Sequence, residues 1–138
     1  DWSSDVCSSD LEMEKGKEAD LTERIIACAI AVHRELGPGL LESIYEEALT
    51  IELAASGLRF VRQVEMPVVY KDTPLSGSFR MDLVVENKVV VELKAVEAIL
   101  PVHEAQLLSY LRMGGWEVGL LINFKTALLR DGIRRLAL

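Results

Sequence analysis

From Leu21 onward, Leu21, Ile25, Ala29, Val32 and Leu36 recur at three- and four-residue steps, leaving Thr22, Glu23, Arg34 and Glu35 for solvent. This period predicts an amphipathic helix, stopped by Gly37-Pro38-Gly39. A second helix is expected from about Leu40 to Ser56, with Leu41, Ile44, Ala48, Ile51 and Leu53 inward and Gly57 closing it. Phe60 to Tyr70, rich in valine and aromatic residues, reads as a strand that Pro67 assigns to a sheet edge, and Lys71-Asp72-Thr73-Pro74 turns the chain. The segments SFRMDLVV and KVVVELKA follow, joined around Glu86-Asn87-Lys88, and their near-continuous valines predict a hairpin covered on both faces. After Pro101 a helix is expected from about Val102 to Met113, ended by Gly114-Gly115, and Trp116 to Phe124 reads as a buried strand. Leu128 to Leu138 has the composition of a last short strand or helix. The order is α-β-β-β-α-β, preceded by one extra helix.

Residues 1–20 depart from this patterning. They repeat Ser-Ser-Asp (Ser3-Ser4-Asp5, Ser8-Ser9-Asp10) and hold seven acids against two lysines. The segment resembles translated adapter read-through, with a natural start near Met13, or a mobile acidic tail. We therefore divide the chain into a disordered or non-native tail, 1–20, and a single domain, 21–138. The formal net charge of −7 opposes a polyanionic partner, but only −2 of it lies beyond residue 20. The chain of 138 residues, half of them hydrophobic, suits one domain, and no apolar run is long enough to span a membrane. Cys7 and Cys28 form no CxxC pair, so a cytoplasmic protein with buried or idle thiols is the expectation.

The chemistry concentrates in the hairpin. Side chains alternate along a strand, so Asp82 shares a face with Arg80 and Val84, and Glu92 one with Lys94. If 86–88 form a three-residue loop, Val85 pairs with Val89 and Asp82 falls opposite Glu92. Two facing carboxylates on a valine-rich sheet repel each other, and a cation between them removes the difficulty. Hard oxygen ligands with open positions suit Mg²⁺ or Mn²⁺ rather than zinc. Lys94 then lies where it can orient a water or stabilise developing negative charge. Gln106 and Tyr110, four apart on the next helix, place an amide and a phenol on one face, suited to phosphate or a nucleobase. Glu42 either starts its helix, favoured by the macrodipole, or points at the hairpin acids as a further metal ligand, with Tyr45 on the same side. Glu46 and Glu47 read as solvated charges. His33 and His103 have no metal-ligand spacing, Trp116 and Phe124 read as packing residues, and the seven arginines from Arg59 to Arg135 as scattered and solvated.

Gly39-Leu40-Leu41-Glu42-Ser43-Ile44-Tyr45, with His33 to Gly39, Arg80 to Leu83 and Val91 to Ala95, resembles the GxxExxY protein family over about residues 21–138. That family is similar to the PD-(D/E)XK nuclease superfamily. The resemblance implies a restriction-endonuclease-like α/β fold, a mixed central sheet flanked by helices. It implies Asp82, Glu92, Lys94 and Glu42 as catalytic residues, with Asp82, Glu92 and Glu42 holding Mg²⁺ or Mn²⁺. Gln106 and Tyr110 match a Q-xxx-Y motif and, with Tyr45, are the expected substrate-binding residues; Met81 stands where the superfamily name has proline. The expected function is metal-dependent hydrolysis of nucleic acid, DNA first, by a protein without membrane attachment. A homodimer is expected if duplex DNA is cut on both strands. The alternatives are a non-catalytic nucleic-acid or protein-binding module on the same fold, and an enzyme acting on small phosphoesters.

Overall fold

Residues 18–138 are described by a computed structural model, and the expected adapter-like tail, the start near Met13 and Cys7 lie outside the described residues. Helix α1 spans Ala19–Leu36, so Ala19 and Asp20 belong to it rather than to the tail. Its core face carries Leu21, Ile25, Ala29 and Val32 as the spacing requires. Thr22 is also buried, contrary to expectation; its hydroxyl donates to the Ala19 carbonyl at 3.0 Å, which satisfies the polar atom locally. Cys28 is buried, with its Sγ 3.3 Å from Ser56 Oγ.

Helix α2 spans Glu42–Ala55 and buries Leu53 as expected, but otherwise turns a different face inward. Tyr45, Leu49 and Leu53 are fully buried, whereas Leu41, Ile44 and Ile51 are exposed. The helix carries two apolar stripes, and the aromatic one turns inward because the Tyr45 ring stacks on Phe124 with centroids 4.4 Å apart. Its hydroxyl accepts from the Leu40 N–H at 3.0 Å and donates to the Gly37 carbonyl, fixing the Gly-Pro-Gly loop between the helices. The helix ends in a left-handed Gly57 whose N–H donates to Ala54, while the Leu58 N–H reaches back to Leu53.

The sheet follows in sequence order: β1 (Phe60–Tyr70), β2 (Thr73–Val85), β3 (Val89–Lys94), β4 (Val118–Asn123) and β5 (Ile133–Ala137). Only β3 and β4 are parallel, and α3 (Pro101–Gly114) forms their crossover. β1 is an edge strand, with a register irregularity at Pro67 to Val69 where proline cannot donate to a ladder. β2 starts five residues earlier than expected, because Lys71 and Asp72 adopt positive φ and close a tight two-residue turn. The closing segment holds a short 3₁₀ turn, Leu129–Gly132, before the second edge strand β5.

Both sheet faces are covered. Leu83, Val85, Val89, Val91, Leu120 and Ile122 pack with α1 and α2, while Met81, Val84, Val90 and Leu121 pack with α3. No helix among the described residues is long and apolar enough to cross a membrane. Replacing Tyr45 by Phe keeps the ring stack but leaves the Leu40 N–H and the Gly37 carbonyl without the phenol. Urea unfolding is expected to show a loss of about 1–2 kcal/mol for this variant.

Candidate active site

β2 and β3 pair as the three-residue loop requires, Val85 with Val89, Val84 with Val90 and Leu83 with Val91, and there the ladder ends. At the next positions the two carboxylates take over. The Asp82 N–H donates to Glu92 Oε2 at 2.8 Å, and the Leu93 N–H donates to Asp82 Oδ2 at 2.8 Å. Each acid thus satisfies a backbone donor of the other strand, and the strands fork around the pair.

Strict alternation fails at this point. Met81 and Val84 share one core cluster while Leu83 and Val85 lie in the other, so the strand rotates around Asp82, and the expected common face for Arg80, Asp82 and Val84 does not persist. Across on β1, Arg62 pairs with Leu83 and Val64 with Met81, while Gln63 between them has φ +51°. A left-handed glutamine in a strand requires external support. Glu46 supplies it: this residue, read from sequence as solvated, is only 7% exposed, accepting from Gln63 Nε2 at 2.9 Å and Arg62 Nε at 3.0 Å. The available signal was the four-residue recurrence of Glu42, Glu46 and Thr50, a polar line along one side of the helix.

Burial dominates the electrostatics of the pair. It pushes the Glu92 carboxyl up from its ordinary 4.5 to about 8, helped by the Asp82 charge and opposed by the Asp82 N–H and by Lys94. Asp82 is raised in the same direction, first by burial and then by Glu46 and Glu42, against the Leu93 N–H and Lys94. Lys94 ends β3 half-buried, its carbonyl accepting the Phe124 N–H at 2.9 Å from the end of β4. Asn123, paired with Lys94 and 2% exposed, holds the chain beyond: its Oδ1 accepts from Val96 and Lys125, and its Nδ2 donates to Val96. Sequence reasoning missed this residue, since a single asparagine at a strand end carries no distinctive pattern.

Glu42 stands in the first turn of α2, as the helix-start reading expects, and its Oε2 accepts the Ala95 N–H at 3.2 Å, one residue past Lys94. Its charge also raises both hairpin carboxyls. On the opposite wall the Tyr110 ring stacks on Phe79 at 4.7 Å, and its phenol is raised by burial and then by the charges of Glu92 and Asp82. Gln106 is exposed and hydrogen-bonds that phenol. Tyr45 is not brought to the cleft: it is fully buried and its hydroxyl is occupied by the Gly37 to Leu40 loop, so the expectation of substrate contact is corrected. The histidines hold structure: His103 Nδ1 accepts the Leu100 N–H at 2.9 Å ahead of α3, and His33 Nε2 lies 2.8 Å from the Thr126 carbonyl.

Among the described residues no three His, Cys, Asp or Glu side chains gather into a ready-made metal cluster. Magnesium needs fewer, since it retains waters and takes one or two carboxylates together with phosphate oxygens. The crossed hydrogen bonds engage one oxygen of each carboxylate, and the donor set is hard, so the Asp82–Glu92 pair fits such a cation.

An α/β domain whose mixed sheet forks around two acids and a lysine is a restriction-endonuclease-like core with an added N-terminal helix. The family model of the PD-(D/E)XK nuclease superfamily matches residues 19–136, and the chain belongs to that superfamily. Neither a curated protein nor a solved structure matches the chain significantly. Nucleases of this superfamily generally use divalent metals.

The raised Glu92 carboxyl makes stability depend on pH. The folded protein holds this proton more tightly than the unfolded chain, so stability is greatest below pH 4.5, falls as pH rises through about 8, and then levels off. In EDTA, Glu92→Gln is expected to raise the melting temperature by about 5 °C at pH 9 and to leave it unchanged at pH 4. Calorimetric scans at the two pH values check this; equal melting curves at pH 9 would remove the buried charge from the account.

Proposed function

We propose that the protein is a metal-dependent nuclease that hydrolyses phosphodiester bonds of nucleic acid, DNA in the first instance. The observation that carries the reading is the pair of crossed hydrogen bonds that hold Asp82 and Glu92 at the β2–β3 fork, within a chain of this superfamily. Mg²⁺ or Mn²⁺ held by Asp82 and Glu92, with Glu42 at the rim, would neutralise the acids and polarise the scissile phosphate. Lys94, on the same strand, orients the attacking water and offsets charge growing on the phosphate. Gln106 presents its amide from the Tyr110 wall, where the phenol is fixed against Phe79. Glu42, tied to the Ala95 N–H, keeps the loop after Lys94 in place. We assign the activity to the cytoplasm, and a homodimer to the case in which both strands of a duplex are cut.

A second reading, a binding module that keeps the fold without turnover, draws on the same hydrogen bonds, since both acids are already engaged with backbone donors. Incubation of the full chain with single-stranded, duplex and branched DNA and with RNA, in Mg²⁺ or Mn²⁺, separates the two. Parent cleavage is expected to fall by at least about 100-fold in Lys94→Ala, with an unchanged circular dichroism spectrum. Cleavage retained by the variant overturns the role of Lys94. Binding without cleavage by the parent at any metal concentration favours the module.

A further inference from the structure

The arginines are not uniformly scattered. Arg59, Arg62 and Arg134 are ion-paired with Glu86, Glu46 and Glu104, and Arg24 donates to the Ser56 carbonyl at 2.6 Å. Arg34, Arg80, Arg112 and Arg130 differ: all are exposed and none has an ion-pair partner among the described residues, and of these Arg34 and Arg130 line one groove of about 510 Å³. The sequence separates them by almost the whole domain. The fold joins them because Arg34 stands in the last turn of α1 and Arg130 in the 3₁₀ turn after β4.

Besides the arginines the groove is lined by His33 and by the apolar Ile30, Pro38, Leu129 and the 61% exposed Leu128. The His33 Nε2 contact to the Thr126 carbonyl ties α1 to the loop beyond β4, so the two elements are held together before any ligand arrives. Guanidinium groups in a mostly apolar groove match the chemistry of a nucleic-acid strand. The planar forks take phosphate oxygens in bidentate fashion, and the apolar floor takes sugar and base edges.

The position of the groove selects this occupant over an acidic protein. Gly37 and Pro38 line it, and further along the same loop Leu40 and Leu41 line a second cavity with Glu42 and Ser43 of α2 and with Ala95, the residue after Lys94. The loop, held by the Tyr45 hydroxyl, thus leads from the groove toward Glu42, whose Oε2 accepts the Ala95 N–H. We infer that the Arg34–Arg130 groove is a phosphate-backbone subsite that carries the substrate strand away from the Asp82–Glu92 fork. The inference rests on the nuclease reading and gives it a direction: nucleic acid runs from the Gln106–Tyr110 wall, across the fork, to the end of α1.

Fluorescence anisotropy of the full chain in EDTA, with fluorescein-labelled single-stranded and duplex DNA titrated over a range of NaCl, tests it. Arg34→Ala/Arg130→Ala is expected to bind roughly 10- to 100-fold more weakly at low salt. The slope of log affinity against log salt is expected to flatten by about 1.4 for the single strand or about 1.8 for the duplex. Arg34→Lys/Arg130→Lys keeps both charges and most of the slope, and Arg59→Ala, whose arginine is paired elsewhere, keeps all of it. Parent binding with an unchanged slope in the double alanine variant overturns the subsite and leaves the nuclease reading standing. If the parent binds neither DNA form, the subsite is overturned, and the cleavage assay with metal, on DNA and RNA, decides the nuclease reading separately. Arginine-dependent binding of polyglutamate in place of DNA also overturns the subsite, by assigning the groove to an acidic protein.

Discussion

The exchange of hydrogen bonds at the β2–β3 fork governs the rest of the molecule. An antiparallel ladder that continued past Leu83 and Val91 would close the strands over Asp82 and Glu92. Two carboxylates buried side by side in a continuous sheet would have no compensation for repulsion and lost hydration. Placing each carboxylate on an amide of the opposite strand, at 2.8 Å in both cases, satisfies the donors and parts the strands together. The parting is supported from outside. Gln63 takes a left-handed conformation where a regular strand residue would sit, and Glu46, itself paired with Arg62, anchors its amide. A helix residue thereby stabilises a backbone irregularity in β1 that lies opposite the rotation at Asp82.

What the sequence disclosed follows the range of the forces involved. The hairpin register was readable because a three-residue loop fixes pairing locally, and the valines on both sides leave no competing register that buries as much. The edge position of β1 was readable from one proline. The buried face of α2 was not. Leu41, Ile44 and Ile51 form as good an apolar stripe as Tyr45, Leu49 and Leu53, and the choice is made by Phe124, far along the chain, against which Tyr45 stacks. The same limit explains Glu46. Its burial depends on Arg62 and Gln63 arriving from β1, a tertiary event with no trace in the helix except the line of polar residues at 42, 46 and 50. Tyr45 was misread as a substrate contact for a related reason: its spacing from Glu42 gave the correct helix side, but spacing does not say how deep a side chain lies.

Under the proposed function, an acidic protein meets a polyanion by position rather than by total charge. The excess of acids beyond residue 20 is only two, and part of the basic charge is already paired within the fold, Arg62 with Glu46, Arg59 with Glu86, Lys125 with Glu97. Net charge therefore says little about the field a ligand meets at the carboxyl ends of β3 and β4. There the raised Glu92 carboxyl weakens the local negative field: titrating at about 8, it is largely neutral at pH 7. Lys94 follows it by two residues on β3, and Arg34 and Arg130 share a groove with Gly37 and Pro38 of the loop before α2. Burial, which makes the acid pair costly to the fold, also keeps an empty site from repelling phosphate. Under the proposed function, a divalent cation displacing the Glu92 proton would bring two positive charges in exchange for the one released, and would so favour an anionic substrate.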